Sequence, residues 1–194
     1  MVRTRDANLD HPSRVLGFNH LMQHRYSRLA LYNSWANRRL YDAASSVGDA
    51  DYRADRGAFF KSLHGTLNHL LVGDRVWMRR FTGEGEAPTR LDAILHEDFH
   101  DLRRAREIED RRIEAYVDGL DDEALNASFS YSTITNPAKV EQVLSDALDH
   151  FFNHQTHHRG QAHCLLTAIT GTAPSLDLIL LQREKGWAKR EVGT

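Results

Sequence analysis

The chain of 194 residues carries 25 Lys plus Arg against 27 Asp plus Glu, a net charge of −2 with neutral histidines, which supplies no strong field for nucleic acid or an anionic membrane. With 41% apolar and 27% charged residues it falls outside the disordered and membrane-embedded classes, and a single domain over 1–194 is the simplest organisation. The N-terminal stretch Met1 to Pro12 is polar with no signal-peptide core, and the lone cysteine, Cys164, can form neither an intramolecular disulfide nor a thiolate cage; a reducing, cytoplasmic compartment is predicted.

From about Phe18 to Val47 there is no Gly or Pro, and Met22, Tyr26, Leu29, Ala36, Leu40, Ala43 and Val47 recur at three- and four-residue steps through Asn33, the pattern of an amphipathic helix. Gly48-Asp49 ends it. A second helix is predicted from Asp55 to Gly57 onward through Phe60, Leu63, Leu67, Leu70, Trp77 and Phe81 to Gly83, followed by a Gly/Pro loop to Pro88. Leu95, Phe99, Leu102, Ile113, Tyr116 and Leu120 mark a highly charged third helix with a solvated polar face.

Residues Ser128 to Thr135 alternate Phe129, Tyr131 and Thr133 with serines before the Asn136-Pro137 turn, which predicts a short strand or hairpin arm. A fourth helix is predicted over roughly Glu141 to Thr170, with Leu144, Ala147, Phe151, His154, His158, Leu165 and Ile169 on one stripe; the apolar tail stretch Leu176 to Leu181 is too short to span a membrane and is expected to pack on the helices. The fold class is therefore all-α, a four-helix bundle with one strand-like connection between helices three and four.

Histidine is where the composition departs from the ordinary, with 12 in the chain and several between His150 and His163. In His154-x-x-x-His158 the side chains are about 40° apart around a helix and one turn apart along it, so both imidazoles can reach one ion at ~2.1 Å. Such pairs also arise without a metal, but these two continue an apolar stripe, where an unpartnered imidazole is costly to bury. His157, about 100° from His158, falls with His150, Asn153 and Cys164 on a neighbouring face.

A third ligand has to come from another helix. His69 lies beside the Leu63, Leu67 and Leu70 stripe, with Gly65 one turn before and Gly73 one turn after. Two mid-helix glycines, each costing about 1 kcal/mol, make sense where room must be cleared for a neighbouring helix, an ion or a ligand. Spacing alone leaves His69 and His64 level as the candidate.

Three blocks bear on that choice: Tyr32-Asn-Ser-Trp-Ala-Asn37, Ser62-Leu-His-Gly-Thr-Leu-Asn-His-Leu70 with Asp74 and Trp77, and Asn153-His-Gln-Thr-His-His-Arg-Gly-Gln161. Together with the Pro174-to-Glu184 tail they resemble the DinB/YfiT-like family of helical metal-binding proteins, as distinct from the translesion polymerase that shares the label. The resemblance implies that one histidine on the second helix and two on the last long helix hold one divalent transition metal ion, zinc or nickel. On this chain those are His69, His154 and His158. It also implies a homodimer and chemistry on low-molecular-weight thiols such as bacillithiol or mycothiol.

Arg159-Gly160-Gln161 then has two readings, close helix packing at Gly160 or a hydrogen bond from Gln161 to a ligand. Asp74 is expected to orient a histidine or pair with an arginine, and Asn33 to satisfy a neighbouring group. A neutral three-histidine site suits zinc or nickel and leaves two chemistries open, water activation for hydrolysis or presentation of a thiolate. The resemblance favours the second and implies a thiol S-transferase-like reaction on a small electrophile, with small-molecule partners, and neither nucleic acid nor membrane is expected. A hydrolase needs a carboxylate base, and no His-Glu-x-x-His arrangement supplies one. A non-catalytic, stress-response metal-binding protein is the reading from another class.

Overall fold

The computed structural model describes residues 12–135 and 137–188, with side chains from residue 24 onward. The polar stretch before residue 12, Asn136 of the expected turn and the side chains of Phe18 and Met22 lie outside that description. The elements in chain order are α1 (Pro12–Ala44), α2 (Asp49–Arg53), α3 (Leu63–Thr82), α4 (Phe99–Asp118), α5 (Asp122–Asn126), β1 (Ser128–Ser132), β2 (Lys139–Val143), α6 (Leu144–Thr170) and α7 (Leu178–Glu184). The protein is mostly helical, with a small antiparallel sheet that pairs Ser128 with Val143 and Ser132 with Lys139. No helix among the described residues is long and apolar enough to cross a membrane.

The long helices pack pairwise: α1 lies against α4 and α6, and α3 lies against the same two. Two apolar clusters fill the space between them. One joins Tyr26, Trp77, Met78, Ile113, Leu148 and Phe151; the other joins Leu40, Leu63, Leu67, Leu70, Leu102 and Leu166. The tail packs on α1 as expected, through Leu181 against Trp35 and Ala36. Tyr32 Oη donates to the Leu176 carbonyl at 2.7 Å and Trp35 Nε1 to Glu184 Oε2 at 2.7 Å.

Several element ends differ from the sequence expectation, each for a local reason. The second long helix starts at Leu63, not near Gly57. Ser62 caps it by accepting from the Gly65 amide at 3.0 Å. Gly57 and Lys61 just before it hold φ of 75° and 67°, a left-handed geometry that no α-helix continues through. The third starts at Phe99, where the Asp98 carboxylate accepts from the Asp101 amide at 2.9 Å. Leu95 stays in a loop because Asn68 Oδ1 accepts from the backbone amides of Leu95 and His96 at 2.8 and 3.0 Å. Glu141 to Val143, expected to begin the fourth helix, belong to β2 instead.

Charge is also buried at the centre. Arg106 on α4 sets Nη1 2.5 Å from Asp74 Oδ2 on α3 and Nη2 3.0 Å from Asp110 Oδ1. Asn37 and Asn33 of α1 donate to Asp110 at 2.9 and 3.4 Å, and Arg159 of α6 donates to Asn33 Oδ1 at 2.6 Å and Asn37 Oδ1 at 3.2 Å. Two carboxylates and two guanidiniums thus balance in a network that touches all four long helices. Asp74 pairs with an arginine, the second of its two expected roles.

Candidate metal centre

His69 of α3 and His154 and His158 of α6 come together where these helices face each other. One ring nitrogen from each lies within 4.8 Å of the others, an arrangement that could hold a metal ion. Ring centroids stand 4.3 Å apart for His69 and His158, 4.4 Å for His154 and His158, and 5.3 Å for His69 and His154.

The surroundings orient two of the three rings. His69 Nδ1 donates to the Leu91 carbonyl at 2.8 Å, in the loop between α3 and α4. That bond fixes the tautomer and leaves His69 Nε2 as an acceptor, and this nitrogen is buried without a hydrogen-bond partner. His158 Nδ1 donates to Gln161 Oε1 at 2.9 Å, which likewise frees its Nε2. Phe60, in the loop closed by Lys61, stacks on His69 with centroids 3.7 Å apart and planes 16° apart, and meets His158 edge-on at 5.5 Å.

The two glycines of α3 do clear room. A methyl at Gly65 would run into the Phe60 carbonyl, so Gly65 admits the loop that carries Phe60. A methyl at Gly73 would stand 2.8 Å from His154 Cε1, closer than carbon atoms approach. We therefore expect Gly73→Ala to gain helix stability of up to about 1 kcal/mol while displacing His154 and weakening metal binding about tenfold or more. Melting curves paired with a zinc competition titration check both signs at once. Gly160, read as a close-packing position, faces open space, with nothing within 4 Å of an added Cβ.

Burial governs the charge state of the trio. Removal from water pushes the His69 imidazole down to about 4 and that of His154 down to about 3, the neighbouring imidazoles adding to the shift at His154; His158 is lowered for the same first reason. All three are neutral, and so able to coordinate, at neutral pH. In metal-free protein the imidazoles of the unfolded chain take up protons as pH falls through about 6.5, while folded His69 and His154 do not until about 4 and about 3. Stability should therefore fall with pH across that window and lose nothing further from these groups below about 3. Thermal melts of chelator-treated protein at several pH values test this, and the slope should be shallower in His154→Leu.

The other histidines of interest sit elsewhere. His64 is buried with Nε2 donating to the His96 carbonyl at 3.1 Å and Nδ1 3.4 Å from Arg53 Nη1, on the side of α2. His157 is exposed, 3.2 Å from Gln161 Nε2. His150 lines the cleft outside the trio, its ring 5.9 Å from that of His154 and 5.1 Å from Trp77. Cys164 is exposed and outside the cleft lining. Sequence reasoning had no role for Leu91, and counted Phe60 as helical core; a loop carbonyl that takes an imidazole proton leaves no trace in side-chain pattern.

A cleft of about 440 Å³ opens from His69 and His154 toward the β1–β2 hairpin, with Val76, Trp77, Arg80, Leu91 and Ile134 among its walls. Among the described residues no Asp or Glu lines it, so the carboxylate base that metal-dependent hydrolysis calls for is missing from its walls.

Comparison with known proteins gives two concordant matches. The sequence model of the DinB family matches residues 22–190. Protein DinB of Bacillus subtilis (strain 168) is 30% identical over 172 residues, covering 81% of this chain and 96% of that protein.

Proposed function

The chain belongs to the DinB family, and from that premise we propose that His69, His154 and His158 hold one divalent transition metal ion, zinc or nickel, at which a low-molecular-weight thiol is presented to a small electrophile. The observation that carries this reading is the buried, unpartnered Nε2 of His69 beside two further neutral imidazoles. A desolvated acceptor with no donor is costly, and a cation relieves that cost. The pairwise contacts of α1, α3, α4 and α6 support reading the architecture as a four-helix bundle, whose core commonly houses such sites.

When bound, the ion would supply Lewis acidity that favours the thiolate form of a coordinating thiol at neutral pH. The chain's residues do the rest. Leu91 and Gln161 fix the tautomers of His69 and His158, and Phe60 covers one side of the His69 ring. Val76, Trp77 and Leu91 give the cleft apolar walls for an electrophile. In the transfer itself a carbon–sulfur bond forms at the electrophilic carbon, the leaving group departs with its bonding pair, and the thiol proton passes to solvent. Cys164 lies outside the cleft, so its thiol does not compete with the incoming one.

The test is metal content by mass spectrometry on tag-free protein, followed by thiol binding and turnover with zinc- and nickel-loaded samples. About one equivalent of metal, with thiol consumption that depends on it, is the expected result. Bound metal with no thiol binding would favour a non-catalytic metal-binding protein, and wild type that cannot be loaded with either ion would overturn the proposal.

A further inference from the structure

The far end of the cleft carries a cation without an acid. Arg80, near the end of α3, sets its guanidinium 4.5 Å from the Trp77 ring centroid and 4.6 Å from that of Tyr131. Among the described residues its one hydrogen bond runs from Nη2 to the Ser132 carbonyl at 3.2 Å, which leaves most of its five N–H donors open. Among the described residues no carboxylate lies within ion-pair distance of Arg80, as is also true of Arg28, Arg38 and Arg75; what sets Arg80 apart is that it lines the same cleft as His69 and His154.

Burial lowers the affinity of Arg80 for its proton, and burial, with the Arg80 charge adding to it, lowers that of His150 in the same cleft. A half-buried guanidinium in a cleft lined by apolar groups and neutral imidazoles, with no acid in the walls, is complementary to an anion. Stacking on Trp77 and Tyr131 also holds the hairpin against α3, and the donors that this leaves open reach solvent, where they are available to a ligand.

Resting on the thiol reading above, we infer that Arg80 binds a carboxylate of the substrate, so that the cleft takes a thiol bearing a carboxylate at its opposite end. Arg80 follows Gly73, the residue against His154, by seven positions, about 10 Å along a helix. The thiol and the carboxylate are therefore separated by an extended chain that runs along Val76 and Trp77.

Zinc-loaded protein titrated calorimetrically with 6-mercaptohexanoate and with 6-mercaptohexanol, which share the thiol and the chain length, tests this. Wild type should bind the acid about tenfold more tightly than the alcohol, the range of one charge-assisted contact. Arg80→Gln should lose that preference while its zinc content and its affinity for the alcohol stay unchanged, and Arg80→Lys should recover most of it. Equal binding of the two thiols by wild type, or a preference retained in Arg80→Gln, overturns the carboxylate site and leaves the thiol reading intact. Zinc-loaded wild type that binds neither thiol overturns both.

Discussion

Arg106→Met should destabilise the protein by about 3–5 kcal/mol, the range for removing one partner of a buried ion pair. Arg106 is 1% exposed, and it is the cation facing both Asp74 and Asp110. Without it two carboxylates are buried at the centre of the four long helices, Asp110 held by the amides of Asn33 and Asn37 and Asp74 without its ion-pair partner. A loss of that size is a large part of a domain's total stability and corresponds to a fall in Tm of roughly 10 °C at this chain length. The pH dependence gives the deficit a signature. Burial already pushes the Asp74 carboxyl up to about 7 against the pull of Arg106, and removing the guanidinium raises it further. A carboxyl whose folded value lies above its unfolded value binds more protons folded than unfolded, so stability is gained as pH falls from about 7 toward 4. Melts of wild type and Arg106→Met should therefore converge at pH 5.5 relative to pH 7.5. Adding Asp74→Leu should restore part of the loss at pH 7.5, and failure of both effects would mean that the pair contributes little.

That network was half visible in the sequence. Asn33, Asn37, Asp74 and Arg159 all stand in the blocks that carry the family resemblance, and Asp74 stood out as an acid on a Leu and Trp stripe. Arg106 and Asp110 did not stand out, because α4 is charged nearly throughout and a buried Arg/Asp pair in such a helix looks like any solvated i,i+4 pair. The same limit applied to the ends of α3 and α4. Apolar spacing continues through Phe60 and Leu95, and what stops the helices there is a left-handed Lys61 and the side chain of Asn68 reaching to a loop. Periodicity records which face is buried and is blind to hydrogen bonds made by a distant residue. Of the histidines, spacing placed His154 and His158 on one inward stripe, and they are adjacent in the structure. His69 and His64 could not be separated by spacing, since both are buried on α3; their partners differ, a loop carbonyl with a free Nε2 in one case and two occupied ring nitrogens in the other.

Zinc at a thousandfold excess over its dissociation constant should stabilise wild type by about 4 kcal/mol, a rise in Tm of roughly 8–16 °C, and His154→Ala should abolish most of the rise. The reasoning starts from where the three imidazoles come from. His154 and His158 share one turn of α6 and stay neighbours in any helical fragment, whereas His69 reaches them only when α3 is packed on α6. An ion held by all three therefore binds the folded chain in preference to the unfolded one, and its binding free energy becomes folding free energy. In the absence of metal the balance reverses, since three neutral imidazoles crowded out of water favour a chain that can hydrate and protonate them. His69→Leu and His154→Ala should accordingly be more acid-resistant than wild type when both are metal-free, and less stable than wild type when zinc is present. A crossing of that kind cannot arise from a packing defect, which would lower stability under both conditions. Parallel loss with and without zinc would show that the three histidines serve the fold alone.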